Sequence, residues 1–126
     1  MSSQNKDRVL IVDNDSEFRR SLRKILQKAG YTVNSASSAS QASQTLSKHA
    51  YPLILLDLNM PGKSGLELLH EVKEKSPESK VIMITADGSV DNYSEAMNDG
   101  AFAFLLKPIK MNKILTYTRM ALNGQI

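Results

Sequence analysis

Leu53-Ile54-Leu55-Leu56-Asp57-Leu58-Asn59-Met60-Pro61-Gly62 decides how this chain folds. A short run of bulky apolar residues ends in an aspartate and passes straight into a turn-forming Asn-Met-Pro-Gly. A strand that is apolar on both faces belongs inside a parallel sheet covered by helices on each side. Outward from it the pattern recurs: Val9-Leu10-Ile11-Val12 ends in Asp13, Val81-Ile82-Met83-Ile84 in Thr85, and Phe104-Leu105-Leu106 in Lys107. Parallel strands of one open sheet carry their following residues to its carboxyl edge, where such sheets hold their ligands. Two carboxylates, a hydroxyl and an ammonium are therefore expected in one crevice. That set can hold a divalent cation and a phosphoryl group together.

Apolar run and amphipathic stretch alternate five times along the chain, the pattern of a βα-repeating α/β fold. The first strand spans 8–12. The first helix starts at Asp15 or Ser16, either a good N-cap, carries Phe18, Leu22, Ile25, Leu26 and Ala29 at helical spacing, and stops at Gly30. The second strand, 31–36, alternates apolar and polar, as an edge strand does. The second helix covers about 40–49 with Ala39, Ala42 and Leu46 inward. The third, 65–75, buries Leu66, Leu69 and Val72 and ends before Ser76-Pro77. The fourth, 89–98, has Val90, Tyr93, Ala96 and Met97 as its stripe and terminates at Gly100. A fifth strand at 102–106 leads to a fifth helix, 110–122, burying Met111, Ile114, Leu115, Thr118 and Leu122.

With 126 residues and 41% apolar content, residues 1–126 fit one domain, which buries roughly two-thirds of its unfolded surface. No stretch approaches the ~20 apolar residues that span a bilayer, and residues 1–6 lack the apolar core of a secretion leader. A cytoplasmic protein without membrane contact is expected. The absence of cysteine excludes disulfides and thiolate metal sites. A net charge of +3, with no basic run interleaved with aromatics, argues against direct nucleic-acid binding. Arg19, Arg20, Arg23, Lys24 and Lys28 read as a solubilising or docking face of the first helix. His49 and His70 lie away from the strand ends, as surface residues rather than ligands.

A carboxylate placed like Asp57 can attack phosphorus and form a mixed anhydride. Magnesium takes one or two carboxylates plus phosphate oxygens and water, a demand that Asp13 and Asp57 can meet. Lys107 supplies a point cation to one phosphoryl oxygen, Thr85 a hydroxyl to another, and the small Ala86 leaves the approach to Asp57 open. Each residue alone also has a structural reading: a turn aspartate, a strand-end threonine, a lysine ahead of a proline. Their coincidence at four strand ends favours the chemical one.

Four segments, 9–13, 57–65, 84–86 and 100–108, stand in the order and spacing of a known family. On Asp13, Asp57 to Gly65, Ile84-Thr85-Ala86 and Gly100 through Lys107-Pro108, the chain resembles the receiver domain of bacterial two-component response regulators, a chemotaxis-regulator-like phosphoacceptor domain. The resemblance implies a flavodoxin-like three-layer sandwich, a parallel sheet of order 2-1-3-4-5 flanked by five helices. It implies that Asp57 accepts a phosphoryl group from a histidine kinase or phosphotransfer protein. The receiver would catalyse that transfer and its own dephosphorylation without being a turnover enzyme. Asp13, Asp57 and the backbone carbonyl of Asn59 would hold Mg2+, Thr85 and Phe104 would form a switch pair, and the Lys107-Pro108 bond would be cis. The resemblance also implies that Asn59 and Asp87 occupy positions that would tune hydrolysis of the phosphoryl group. The surface of the fourth helix, fifth strand and fifth helix would read out the switch, often through a homodimer, with Asp91, Glu95 and Asp99 opposite Lys110, Lys113 and Arg119. The run from Ala96 to Phe102 resembles receivers joined to transcriptional regulators. The chain is then either a stand-alone receiver or one cut from a regulator with a covalent effector domain.

One position departs from the family: Asn14 stands where a second acid usually follows Asp13. An amide oxygen still ligates magnesium but brings no charge, and a unit charge pair ~4 Å apart is worth roughly 4 kcal/mol at an effective dielectric of ~20 before solvation offsets it. Weakened metal binding is expected. Asp15 is not expected to compensate, because helix geometry there favours a capping role. The alternative function is a degenerate receiver, a phosphate-independent protein-interaction module. A flavin-binding electron carrier on the same sheet is disfavoured, because the acidic loop from Asp13 to Glu17 repels phosphate unless a cation intervenes.

Overall fold

Residues 7–124 are described in the computed structural model of the protein; residues 1–6, on which the expectation of no secretion leader rests, lie outside them. The strands are β1 (Arg8–Val12), β2 (Thr32–Ala36), β3 (Leu53–Leu56), β4 (Lys80–Thr85) and β5 (Ala103–Leu106). They alternate with α1 (Ser16–Lys28), α2 (Ala39–Lys48), α3 (Gly65–Lys75), α4 (Val90–Asn98) and α5 (Met111–Asn123). All pairings are parallel, in the order β2-β1-β3-β4-β5. The most apolar strands, β1, β3 and β4, thus occupy the interior, and the alternating β2 lies at an edge, as the patterning predicts.

Strand side chains alternate between two apolar layers. Leu10, Val12, Ile54, Leu56, Val81 and Met83 face Ala39, Ala42, Leu68, Leu69, Val72 and Ala96 of α2, α3 and α4. Val9, Ile11, Leu53, Leu55, Ile82 and Ile84 face Leu22, Leu26, Ile114 and Ala121 of α1 and α5. Each fully buried Leu or Ile contributes about 1.5–3 kcal/mol relative to exposure, which fixes strand register and hence the level at which each strand ends.

Side-chain caps start α1 to α4, whereas α5 begins after Lys110 without one. The Asp15 carboxylate accepts the N–H groups of Glu17 and Phe18 at 3.0 and 3.2 Å, and Ser64 and Glu67 form a reciprocal capping box on α3. Gly100 ends α4 with φ of 99°, a conformation costly for any residue with a Cβ.

Three details depart from the sequence reading. In α3 the inward stripe is Gly65, Leu68, Leu69 and Val72, with Leu66 only partly buried; spacing of three, four and seven from Gly65 keeps those positions on one face and turns Leu66 away. In α4 only Ala96 is buried, while Val90 and Tyr93 are 79% and 49% exposed. This helix packs over the edge strand β5, and the Tyr93 ring covers Phe104 from its outer side. In α5 Ala121 joins the core, whereas Met111, Leu115 and Leu122 are partly buried.

Candidate functional site

Register places the strand ends side by side: Val12 pairs with Leu56, Leu56 with Met83, and Thr85 with Leu106. Backbone bonds carry this alignment one residue further. The Asp57 N–H donates to Val12 O at 2.9 Å and the Lys107 N–H to Thr85 O at 2.8 Å. At this edge the Lys107 ammonium donates to Asp13 Oδ2 at 2.7 Å and lies 3.6 Å from Asp57 Oδ2. Asp13 is 2% and Asp57 8% exposed, so two nearly buried carboxylates share one ammonium. Burial pushes the Asp13 carboxyl above its ordinary value; hydrogen bonds from Lys107 and the Asp15 N–H oppose that shift, and the charge of Asp57 adds to it.

The backbone behind Asp57 is held by close packing. A Cβ on Gly65 would lie 2.2 Å from Asp57 O and 2.7 Å from Leu58 Cα, and the Gly65 N–H donates to Leu58 O at 2.9 Å. Only glycine lets the capped start of α3 approach so closely. Nearby, Lys63 bonds to Glu71 and to Ser43, tying the β3–α3 loop to α2 and α3. Burial pushes the Glu71 carboxyl up, but hydrogen bonds from Lys63 and Ser43 outweigh it and hold the group below its ordinary value.

The remaining residues singled out from sequence are dispersed around this centre. Thr85 is fully buried, and its hydroxyl accepts the Asp87 N–H at 3.2 Å. The Asn59 N–H donates to Asp57 Oδ1 at 3.3 Å, and its side-chain amide to Asp87 Oδ2 at 3.1 Å. That bond, followed by the Ser89 N–H, holds the Asp87 carboxyl below its ordinary value. Phe104 is partly buried, with its ring edge-on to Tyr93 at 5.4 Å and 78°. Asn14, Ala86 and Pro108 are exposed, and the Lys107-Pro108 peptide is cis. One charge pairing is corrected: Asp99 Oδ1 lies 3.3 Å from His70 Nδ1 of α3. As the C-cap of α4, Asp99 faces α3 rather than the cations of α5.

Two contacts were not read from sequence. The Phe18 ring centroid is 4.2 Å from Lys107 Nζ, and Arg19 donates to Asp13 O at 2.5 Å. Phe18 reads as a core residue and Arg19 as part of a charged face; their position in the helix turns that follow Asp13 was the available signal.

The donor set fits a hard divalent cation. Two buried carboxylates against one ammonium leave net negative charge, and oxygen ligands suit magnesium. Among the described residues no group of three His, Cys, Asp or Glu can hold a metal ion, so the acids stop at Asp13 and Asp57. Amide, backbone, water or phosphoryl oxygens must complete such a shell.

The family model described as the response regulator receiver domain matches residues 9–119. The chain belongs to that family. A receiver is a signalling domain, and this receiver is 34% identical over 113 residues to the alginate biosynthesis transcriptional regulatory protein AlgB of Pseudomonas aeruginosa, covering 90% of this chain and 25% of that protein. It is 31% identical over 115 residues to the transcriptional regulatory protein ResD of Bacillus subtilis, covering 91% of this chain and 48% of that one. A CheY-like receiver domain from Methanospirillum hungatei JF-1 superposes with a TM-score of 0.91 at 31% identity, with 94% of both chains covered. The receiver thus spans about a quarter to a half of the length of these curated relatives. Among its described residues no helix is long and apolar enough to cross a membrane.

Proposed function

We propose that this receiver is a phosphorylation-dependent switch of a two-component system, with Asp57 as the phosphoacceptor. The observation that carries this reading is the Lys107 ammonium between two nearly buried carboxylates at the sheet's carboxyl edge. In the transfer, an Asp57 carboxylate oxygen forms a bond to phosphorus as the bond to the donor breaks, and the pair of electrons leaves with the donor, the imidazole nitrogen of a histidine kinase or phosphotransfer protein. Lys107 neutralises charge on an equatorial oxygen, and the Asn59 N–H orients the attacking carboxylate. Asp13, Asp57 and the Asn59 backbone carbonyl, with the Asn14 amide beside them, would hold Mg2+, which would supply further charge neutralisation when bound.

Phosphorylation adds roughly −1.5 to −2 charge and new acceptor oxygens. The Thr85 hydroxyl, now bonded to the Asp87 N–H, gains a stronger acceptor in the phosphoryl group, and Phe104 follows it inward. Supporting positions are Ala86, which leaves the approach open, Asp87 and Asn59, which set the phosphoryl lifetime, and Pro108. The modification shifts a pre-existing equilibrium and remodels the α4–β5–α5 surface, where Val90, Tyr93 and Leu106 are exposed. This surface suits a homodimer, as a beryllofluoride-activated NtrC4 receiver, 36% identical with a TM-score of 0.88, is itself a dimer. The chain acts in the cytoplasm, as a stand-alone receiver or as the receiver of a transcriptional regulator with a covalent effector domain, and it is not a turnover enzyme.

The second reading, a degenerate receiver acting without phosphate, is favoured by one observation: the acid set stops at two where Asn14 stands. Incubation with a small phosphodonor and Mg2+ decides between them. The switch requires a mass gain of one phosphoryl group on the wild type and none on Asp57→Ala; no gain on either selects the degenerate reading.

A further inference from the structure

We propose that Phe18 is a positioning residue for Lys107, its ring face holding the ammonium against Asp13 and Asp57 and so raising the Mg2+ concentration at which the site loads. The inference rests on the reading of these carboxylates as a Mg2+ site.

The contact is built rather than incidental. The ring lies 4.2 Å from Nζ and also lines the small hollow beneath both carboxylates with Ile11, Leu55 and Ile84. Its backbone is pinned on both sides: the Phe18 N–H donates to Asp15 at 3.2 Å, and the adjoining Arg19 side chain donates to Asp13 O. The ring therefore moves with the loop that carries Asp13. An ammonium has three donors; one is on Asp13 and a second side faces Asp57. The negative face of the aromatic quadrupole covers a third side and excludes water from it, an attraction that strengthens as the cation is desolvated.

A divalent cation held by Asp13 and Asp57 would draw on the same two carboxylates that Lys107 now neutralises. Whatever favours the ammonium there therefore opposes the metal. With two acids in place of three, less charge is available to win that competition.

The test titrates Mg2+ alone, with no phosphodonor, and reads the amide shifts of Asn59 and Gly65 and the calorimetric affinity. Phe18→Leu keeps apolar bulk but has no π face, and is expected to bind Mg2+ about two- to fivefold more tightly. Phe18→Tyr keeps the face and retains wild-type affinity. Phe18→Met replaces Phe18→Leu if the latter does not fold. In a Lys107→Ala background the Phe18 substitution changes nothing, which a merely structural role would not produce. Unchanged or weaker binding in Phe18→Leu, an equal gain without Lys107, or a wild type that binds no Mg2+ overturns the proposal. The phosphodonor assay on the wild type judges Asp57 separately: Mg2+ binding with the expected pattern but no mass gain rejects the phosphoacceptor and leaves the role of Phe18 standing.

Discussion

Replacing Lys107 with methionine removes the ammonium and keeps most of the stem. At an effective dielectric of ~20, separations of 2.7 and 3.6 Å from Asp13 and Asp57 correspond to roughly 6 and 5 kcal/mol of gross attraction. Most of that is offset, because both carboxylates have been taken out of water. Removing one partner of a buried pair costs about 3–5 kcal/mol, and because the Lys107 side chain keeps 20% exposure, the lower end, about 3 kcal/mol, is expected. In metal-free urea denaturation at about pH 7 the midpoint should fall by about 1–2 M. The pH dependence carries the diagnosis. The Asp13 carboxyl already sits above its ordinary value through burial, with Lys107 opposing the shift. A group raised in the folded state contributes stability below its unfolded pKa and loses it as pH rises through the folded one. Without Lys107 the carboxyl rises further, so the variant's deficit is largest near neutrality. It shrinks in acid, as a proton takes over the role of the ammonium. Saturating Mg2+ at about 100 times its Kd should return up to ~2.7 kcal/mol. Equal midpoints at neutral pH, or a deficit that is constant down to about pH 4.5, would refute the claim that Lys107 compensates two buried charges.

Asn14→Asp adds a carboxylate beside Asp13 and is expected to tighten Mg2+ at least about tenfold, roughly 1.4 kcal/mol of the ~4 kcal/mol gross term; calorimetry giving equal affinities rejects the charge argument. Gly65→Ala drives a Cβ to 2.2 Å from Asp57 O, so it should lose about 3 kcal/mol in urea unfolding and slow labelling of Asp57; wild-type stability would show that the loop yields freely. His70 is raised above 6.5 by its hydrogen bond to Asp99 and then by the charge of Glu74, so its link between α3 and α4 is present below that value and fades as pH rises through the folded pKa. His70→Gln should therefore lower the thermal midpoint at about pH 5.5 and leave it unchanged at about pH 8.5.

Much of this was legible in local sequence. The run from Leu53 to Leu56 is apolar on both faces and emerges as an interior strand. The two candidate caps of the first helix resolve into Asp15 as cap and Ser16 as first helical residue. The stripe of α4 was misjudged because helical spacing shows which residues share a face, not whether anything covers that face. Val90 and Tyr93 share one with Ala96, yet only Ala96 is buried. Leu66 was preferred to Leu68 because the sequence does not show that Gly65 must face Asp57. Charge alone places Asp99 with Asp91 and Glu95 on a subunit-pairing surface, whereas the close of α4 turns it toward His70 within the chain.

The chain by itself determined the alternation of strand and helix, the interior place of β3 and β4, and the residue type that follows each strand. Those properties depend on the order of neighbouring residues, and periodicity within a few turns records them. Tertiary structure alone decided which atoms meet: that Lys107 reaches across 94 positions to Asp13, that the Phe18 ring backs its ammonium, and that the Asn59 amide bonds to Asp87. Such contacts depend on how separate strands and helices assemble, a balance of burial over the whole core that no single stretch of sequence contains.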